Sequence, residues 1–162
     1  PESHQIGAVI DAVIAIVKGE AELPPKGAVL GAGESTVCDE CERKRDEKKI
    51  NAFYRIQEME HIDPEICLLE QGLLCLGPAT GSGCLAKCPT AGALCAGCYG
   101  PAQGVEDIGA RMISSIGSLI DSRDPEEIDK ILDGIVDPVG TFYKFNLANS
   151  IMRTGKASWN GN

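Results

Sequence analysis

The chain is poor in aromatic residues, with three Tyr, three Phe and one Trp in 162 residues. That leaves few large anchors for a hydrophobic core. Only two histidines are present, His4 and His61, and no acid–base or nucleophilic catalytic set is visible around either. His61 precedes Asp63-Pro64 in an expected turn and reads as a surface residue. The longest uninterrupted apolar run, residues 12–17, is far too short to cross a bilayer. Positive charge is also short: 15 Lys and Arg stand against 24 Asp and Glu, a formal net charge of −9. A nucleic-acid partner is disfavoured, because such affinity rests on basic residues displacing counterions. The opening Pro1-Glu2-Ser3-His4 has no basic region followed by an apolar one, and no initiator Met. The chain therefore reads as a processed or excerpted piece, one domain's worth of sequence.

Several helices are legible. Ile6, Val9, Ile10, Val13, Ile14 and Val17 recur at helical spacing over residues 4–18, with Gly19 as a stop. Residues 20–33, with Pro24-Pro25 and three Gly, read as an extended linker. Residues 43–60 are expected to form a second, polar helix. Its run Arg43-Lys44-Arg45-Asp46-Glu47-Lys48-Lys49 would be a solvated face, with a docking patch as the sharper alternative. Residues 105–121 carry an apolar stripe from Val105 to Ile120. Asp124-Pro125-Glu126-Glu127 is a strong helix start, followed by the stripe Ile128, Ile131, Leu132, Ile135 and Val136 and a stop at Asp137-Pro138. Phe142, Tyr143 and Phe145, with Trp159, read as packing within the subunit or as a partner interface.

Between these helices, residues 72–104 hold eight Gly and three Pro with no surviving period. Structureless stretches of that length are uncommon inside compact domains, and this one contains five of the eight cysteines. The cysteines fall into two sets of four: Cys38, Cys41, Cys67 and Cys75, then Cys84, Cys88, Cys95 and Cys98. Disulfides are permitted by the even count, but the CxxC pairs and the helical patterns argue against a disulfide scaffold. Two structural zinc sites are a better reading. Two iron–sulfur clusters fit best, since CxxC plus remote cysteines is a common ligand pattern and Pro89 follows Cys88 as in ferredoxin runs. Nearby glycines would let backbone amides approach the sulfurs, although for any single one of them turn chemistry is the better reading. Cys75 and Cys84 lie nine residues apart, at most about 30 Å even fully extended, so two redox centres here would form a relay.

The run Cys67-Leu-Leu-Glu-Gln-Gly-Leu-Leu-Cys75-Leu-Gly-Pro-Ala-Thr, with Cys84, Cys88-Pro89 and Cys95-Ala-Gly-Cys98-Tyr-Gly-Pro101, resembles the small subunit of cytoplasmic group 3 [NiFe] hydrogenases, of the gamma, delta or G type. The segments starting at Val105 and Asp137 look like that family's following segments, so the resemblance covers nearly the whole chain. It implies a mostly α fold with irregular loops stabilised by iron–sulfur clusters and no substantial β-sheet. Residues 1–33 would be a helix and linker from a preceding flavodoxin-like domain that is itself absent, and residues 34–162 a two-cluster domain with C-terminal helices. Cys38, Cys41, Cys67 and Cys75 match the outer [4Fe-4S] cluster, and Cys84, Cys88, Cys95 and Cys98 the middle one. A third, nearest cluster is expected in the missing N-terminal part.

The implied function is electron transfer between the Ni–Fe centre of a partner large subunit and a further electron-accepting subunit carrying flavin or iron–sulfur. No catalytic centre is expected in this chain, the location would be cytoplasmic, and neither nucleic acid nor a membrane span is involved. A stand-alone ferredoxin-like module or a zinc-stabilised interaction module is the alternative. From the residues flanking each set, the first cluster is expected nearer the surface and the second, beside Leu85, Ala86, Ala93 and Leu94, more buried.

Overall fold

The structure, a computed structural model, describes residues 3–25, 33–46 and 49–152. Six α-helices follow in chain order: α1 (Ser3–Val17), α2 (Val37–Glu40), α3 (Lys87–Thr90), α4 (Ile108–Leu119), α5 (Pro125–Leu132) and α6 (Pro138–Phe142). Short 3₁₀ turns occur at Ile56–Glu58, Gly77–Ala79 and Leu147–Asn149. Among the described residues there is no β-strand, only isolated bridges such as Tyr54 with Leu73 and Ile50 with Ile120. The expectation of helices, irregular loops and no sheet therefore holds.

The core gathers Val37, Ile50, Phe53, Leu68, Leu73 and Leu76 from the irregular half with Ile108, Met112, Ile116, Ile131 and Phe142 from the helical half. The turn at Gly77–Ala79 packs against both α4 and α2. The cysteine loop is thus clamped between the segment that opens it and the helix that follows it. Helix α1 stands apart: Ile10, Val13 and Ile14 of its stripe are about half exposed.

The helix expected over residues 43–60 does not form. Lys44 exchanges backbone hydrogen bonds with the stretch before Cys67, donating to the Glu65 carbonyl and accepting from Cys67 N–H. Ile50 N–H bonds to the Leu119 carbonyl and Tyr54 N–H to that of Gly72. These long-range partners hold the chain extended and bury Ile50 and Phe53, so tertiary contacts override the helix-favouring composition. The charged run is not one solvated face either: Arg43 is buried. Glu47 and Lys48 lie outside the described residues, as do residues 26–32 of the expected linker and Trp159 of the aromatic tail. In the rest of that tail Phe142 is buried, Tyr143 half-buried and Phe145 exposed. His61 is exposed, as expected.

Asp124 caps α5 by accepting from Glu126 N–H, with Pro125 at the first helical position. Asp137-Pro138, expected only to stop a helix, starts another: Asp137 Oδ1 accepts from Gly140 N–H at the head of α6. Asp107 caps α4 and does more. Its carboxylate accepts from Ala110 N–H at 2.7 Å, Ile151 N–H at 2.9 Å and Tyr143 Oη–H at 2.9 Å. One buried side chain so ties α4 to the end of α6 and to the C-terminal turn. Burial works against its charge, but these donors outweigh burial and hold the carboxyl below the usual carboxylate range. Its stabilisation is fully present above the ordinary carboxylate pKa and is lost as pH falls through the depressed value. Asp107→Ala is expected to cost about 2–3 kcal/mol, read as a lower denaturation midpoint near neutral pH, with the difference from the parent shrinking in acid.

Candidate metal centres

The two sets of cysteines remain separate in space, and each set surrounds one hollow. The first is lined by Cys38, Cys41, Cys67 and Cys75, with Val37, Arg43, Arg45, Leu68, Gly77 and Pro89. The second is lined by Cys84, Cys88, Cys95 and Cys98, with Thr80, Lys87 and Tyr99. Val37 and Pro89 line both, so a thin apolar wall separates them.

Local chemistry brings the first set together. Cys38 and Cys41 flank the end of α2, whose start is fixed by Asp39 accepting from the amide and hydroxyl of Thr36. Cys67 is held through the preceding loop. Gln71 accepts from Asp63 N–H and donates to the carbonyls of Asp63 and Ile66, while Glu70 accepts from Asp46 N–H. Glu70-Gln71 thereby serves the geometry of the loop. Cys75 is buried, and the amides of Gly77 and Cys95 donate to its sulfur. The Cys95 amide thus bonds a sulfur of the other set. Gly77 is required by close approach: a Cβ there would lie 2.9 Å from Cys38 Sγ and 3.7 Å from Cys75 Sγ.

The second set is arranged by tight turns. Leu85 and Ala86 both adopt left-handed backbone, φ 56° and 46°, a strained state for residues with a Cβ. The turn brings the Ala86 amide to Cys84 Sγ. Gly97, at φ +78°, has no room for a side chain beside Asn146, Leu76 and Ile108. Its amide reaches Cys95 Sγ, and its carbonyl accepts from Asn146 Nδ2 at 2.8 Å.

The expected difference in burial is reversed. Cys88 and Cys98 of the second set are exposed, whereas no cysteine of the first set is fully so. The flanking residues do not bury the set: Leu85, on the left-handed turn, is 61% exposed and Ala93 is exposed, while Ala86 is buried and Leu94 half-buried.

Burial pushes the thiols of Cys38 and Cys75 up to about 12, and repulsion from neighbouring cysteines adds to it, from Cys75 and Cys67 at Cys38 and from Cys95 and Cys67 at Cys75. Burial also raises Cys84 and Cys95. Such groups do not become thiolates unaided; a bound metal core supplies the positive charge that removes their protons. Among the described residues no three His, Cys, Asp or Glu side chains converge to hold a single metal ion. All-sulfur sets around a hollow, with amides aimed at the sulfurs, fit a cluster of several atoms better than one tetrahedral zinc with bonds of about 2.3 Å.

Residues that the sequence did not single out also belong here. Thr80 Oγ1 receives the Cys95 thiol at 3.5 Å and donates to the Leu76 carbonyl at 2.6 Å. Arg43 and Glu40 lie by the two sets, yet in the sequence Arg43 is an ordinary member of a charged run and Glu40 an ordinary acid between two cysteines.

No family model matches the chain. Named relatives do. The G subunit of the F420-non-reducing hydrogenase of Methanothermobacter thermautotrophicus is 40% identical over 150 residues, covering 88% of this chain and 45% of that protein. The corresponding G subunit of Methanothermus fervidus is 42% identical over 118 residues, covering 70% and 93%. The iron-sulfur G subunit of the F420-non-reducing hydrogenase of Archaeoglobus profundus is 35% identical over 156 residues, covering 94% and 46%. The chain spans about half the length of most of these curated relatives. With identity of this extent, and nearly the whole of the Methanothermus protein matched, the chain belongs to the family of group 3 hydrogenase small subunits that includes these G subunits.

Proposed function

We propose that this chain is the electron-relay portion of a [NiFe] hydrogenase small subunit, with one [4Fe-4S] cluster held by Cys38, Cys41, Cys67 and Cys75 and a second by Cys84, Cys88, Cys95 and Cys98. When bound, such clusters supply one-electron storage and transfer. The observation that carries the reading is the pairing of two four-cysteine hollows that share Val37 and Pro89 and are linked by the Cys95 amide at Cys75 Sγ. Adjacent redox sites form a wire. Adjacent zinc sites would be scaffolding alone.

Within this reading the protein's residues have distinct duties. The cysteines ligate, and the amides of Gly77, Cys95, Ala86 and Gly97 stabilise charge on the sulfurs. Hydrogen chemistry belongs to a Ni–Fe large subunit, and a flavin or iron–sulfur subunit takes the electrons onward in the cytoplasm. The outer and middle assignments rest on the family resemblance, because burial does not support them. The exposed edge at Leu85, Cys88 and Cys98 suits coverage by the rest of the small subunit and by the large one. The half-exposed stripe of α1 fits residues 1–33 belonging with a preceding domain. No helix among the described residues is long and apolar enough to cross a membrane.

The test is co-purification from the native host under strict anaerobiosis. A nickel-containing subunit should accompany the chain, and hydrogen should bleach the visible absorption of its clusters. Clusters that are present but unaccompanied by a nickel subunit and unresponsive to hydrogen would favour the stand-alone ferredoxin-like alternative.

A further inference from the structure

We infer that fixed charges in the 37–45 segment make the first cysteine set the stronger electron acceptor, so that an electron entering at the second set comes to rest at the first. The inference builds on the two-cluster reading above and assigns a direction to it.

The first hollow is lined by two arginines and no carboxylate. Arg43 is only 8% exposed. Its Nε donates to the Pro89 carbonyl at 2.9 Å, and its Nη1 to those of Asp63 at 2.6 Å and Ile66 at 3.0 Å. Three carbonyls satisfy hydrogen bonds but supply no counter-charge, and among the described residues Arg43 has no carboxylate partner. A guanidinium is a fixed cation in a folded protein, and a desolvated cation without an anion is costly. An anionic cluster on Cys38, Cys41, Cys67 and Cys75 would supply the missing charge. Arg45, more exposed, adds its field at Cys38.

The second hollow is itself lined by no carboxylate, but a half-buried one, Glu40, acts on it from beside Gly83. Glu40 Oε1 accepts from Gly83 N–H at 2.7 Å, while Oε2 is buried without a hydrogen-bond partner. The charge of this carboxylate acts on Cys84 and Tyr99. Lys87 lines the same hollow, but it is exposed and screened by water. An added electron makes either site one unit more negative. Arg43 favours that change at the first set, and Glu40 opposes it at the second. Net charge is an established control of cluster potential. Solvent at Cys88 and Cys98 acts in the opposite sense on the second set, so the charges are best isolated by substitution. The step itself moves one electron from the reduced second site to the oxidised first; no bond or proton changes.

The test is a redox titration of the anaerobic holoprotein followed by electron paramagnetic resonance, with signals assigned through Cys41→Ser and Cys98→Ser variants that each remove one cluster. The first-set midpoint should lie above the second. Arg43→Met should lower it by what a tenfold change in the electron-sharing equilibrium represents, about 59 mV for a one-electron couple, and Arg43→Lys should recover most of that shift. Glu40→Gln should raise the second-set midpoint, and it tests the inference even if Arg43→Met fails to assemble. A first-set midpoint below the second, or variants that leave both midpoints in place, would overturn the inference while leaving the clusters established. Wild-type protein without iron would overturn the underlying reading instead.

Discussion

Cys95→Ser is expected to remove about half the iron, four of about eight atoms, and to stop electrons crossing the chain. Cys95 is only 7% exposed, and its sulfur is placed by the Gly97 amide and Thr80. Serine offers a harder, shorter and more basic ligand at a site shaped for sulfur. The residue also has a second duty, because its backbone amide donates to Cys75 Sγ and its carbonyl accepts from Leu76 N–H at 2.9 Å. The surviving first cluster should therefore show a small change in its resonance spectrum, beyond the simple loss of the second. Iron and acid-labile sulfide per chain, with the spectrum of the reduced protein, read both effects. Full iron content in a folded Cys95→Ser protein would remove Cys95 from the ligand set.

The second large effect concerns folding. Removing the metal should unfold the region from Cys38 to Cys98 while leaving α4 and α5 helical. Ligand binding to structural metal sites is worth on the order of 10 kcal/mol, comparable with the whole stability of a typical domain, about 5–15 kcal/mol. Between α2 and α4 the described chain has few helical turns of its own. The two hollows would be left lined by protonated thiols. Helices α4 and α5 keep their own caps at Asp107 and Asp124, and α4 keeps its packing against α6. Limited proteolysis after chelation should cut between residues 38 and 98 first, with most helical circular dichroism retained. Unchanged amide protection across that region in metal-free protein would show that the fold does not depend on the cofactor.

The sequence was most informative where structure is local. The stripe of α1, the stripe of α4 and the Asp124-Pro125 start of α5 all follow from neighbouring residues, and the helices appear there. The two sets of cysteines line two different hollows. Long-range contacts account for what was misread. Residues 43–60 have a helix-compatible composition, but their backbone groups pair with residues near Cys67, Gly72 and Leu119, which no local pattern reveals. Arg43 looks like its neighbours Lys44 and Arg45 until the fold brings Pro89, 46 residues away, to its Nε. The order of burial was not legible either, in part because Leu85 and Ala86 take left-handed backbone, which residues of those types rarely adopt. Asp137-Pro138 carries the same signature as a helix start and as a stop, and here it is the start of α6.

The most direct test of the central claim is the metal content of protein isolated without exposure to air. Two [4Fe-4S] clusters predict about eight irons and about eight acid-labile sulfides per chain, broad visible absorption that bleaches on reduction, and two interacting resonance signals. Two zinc ions with no sulfide, or a single cluster with four of the cysteines left reactive to thiol reagents in the folded protein, would contradict it.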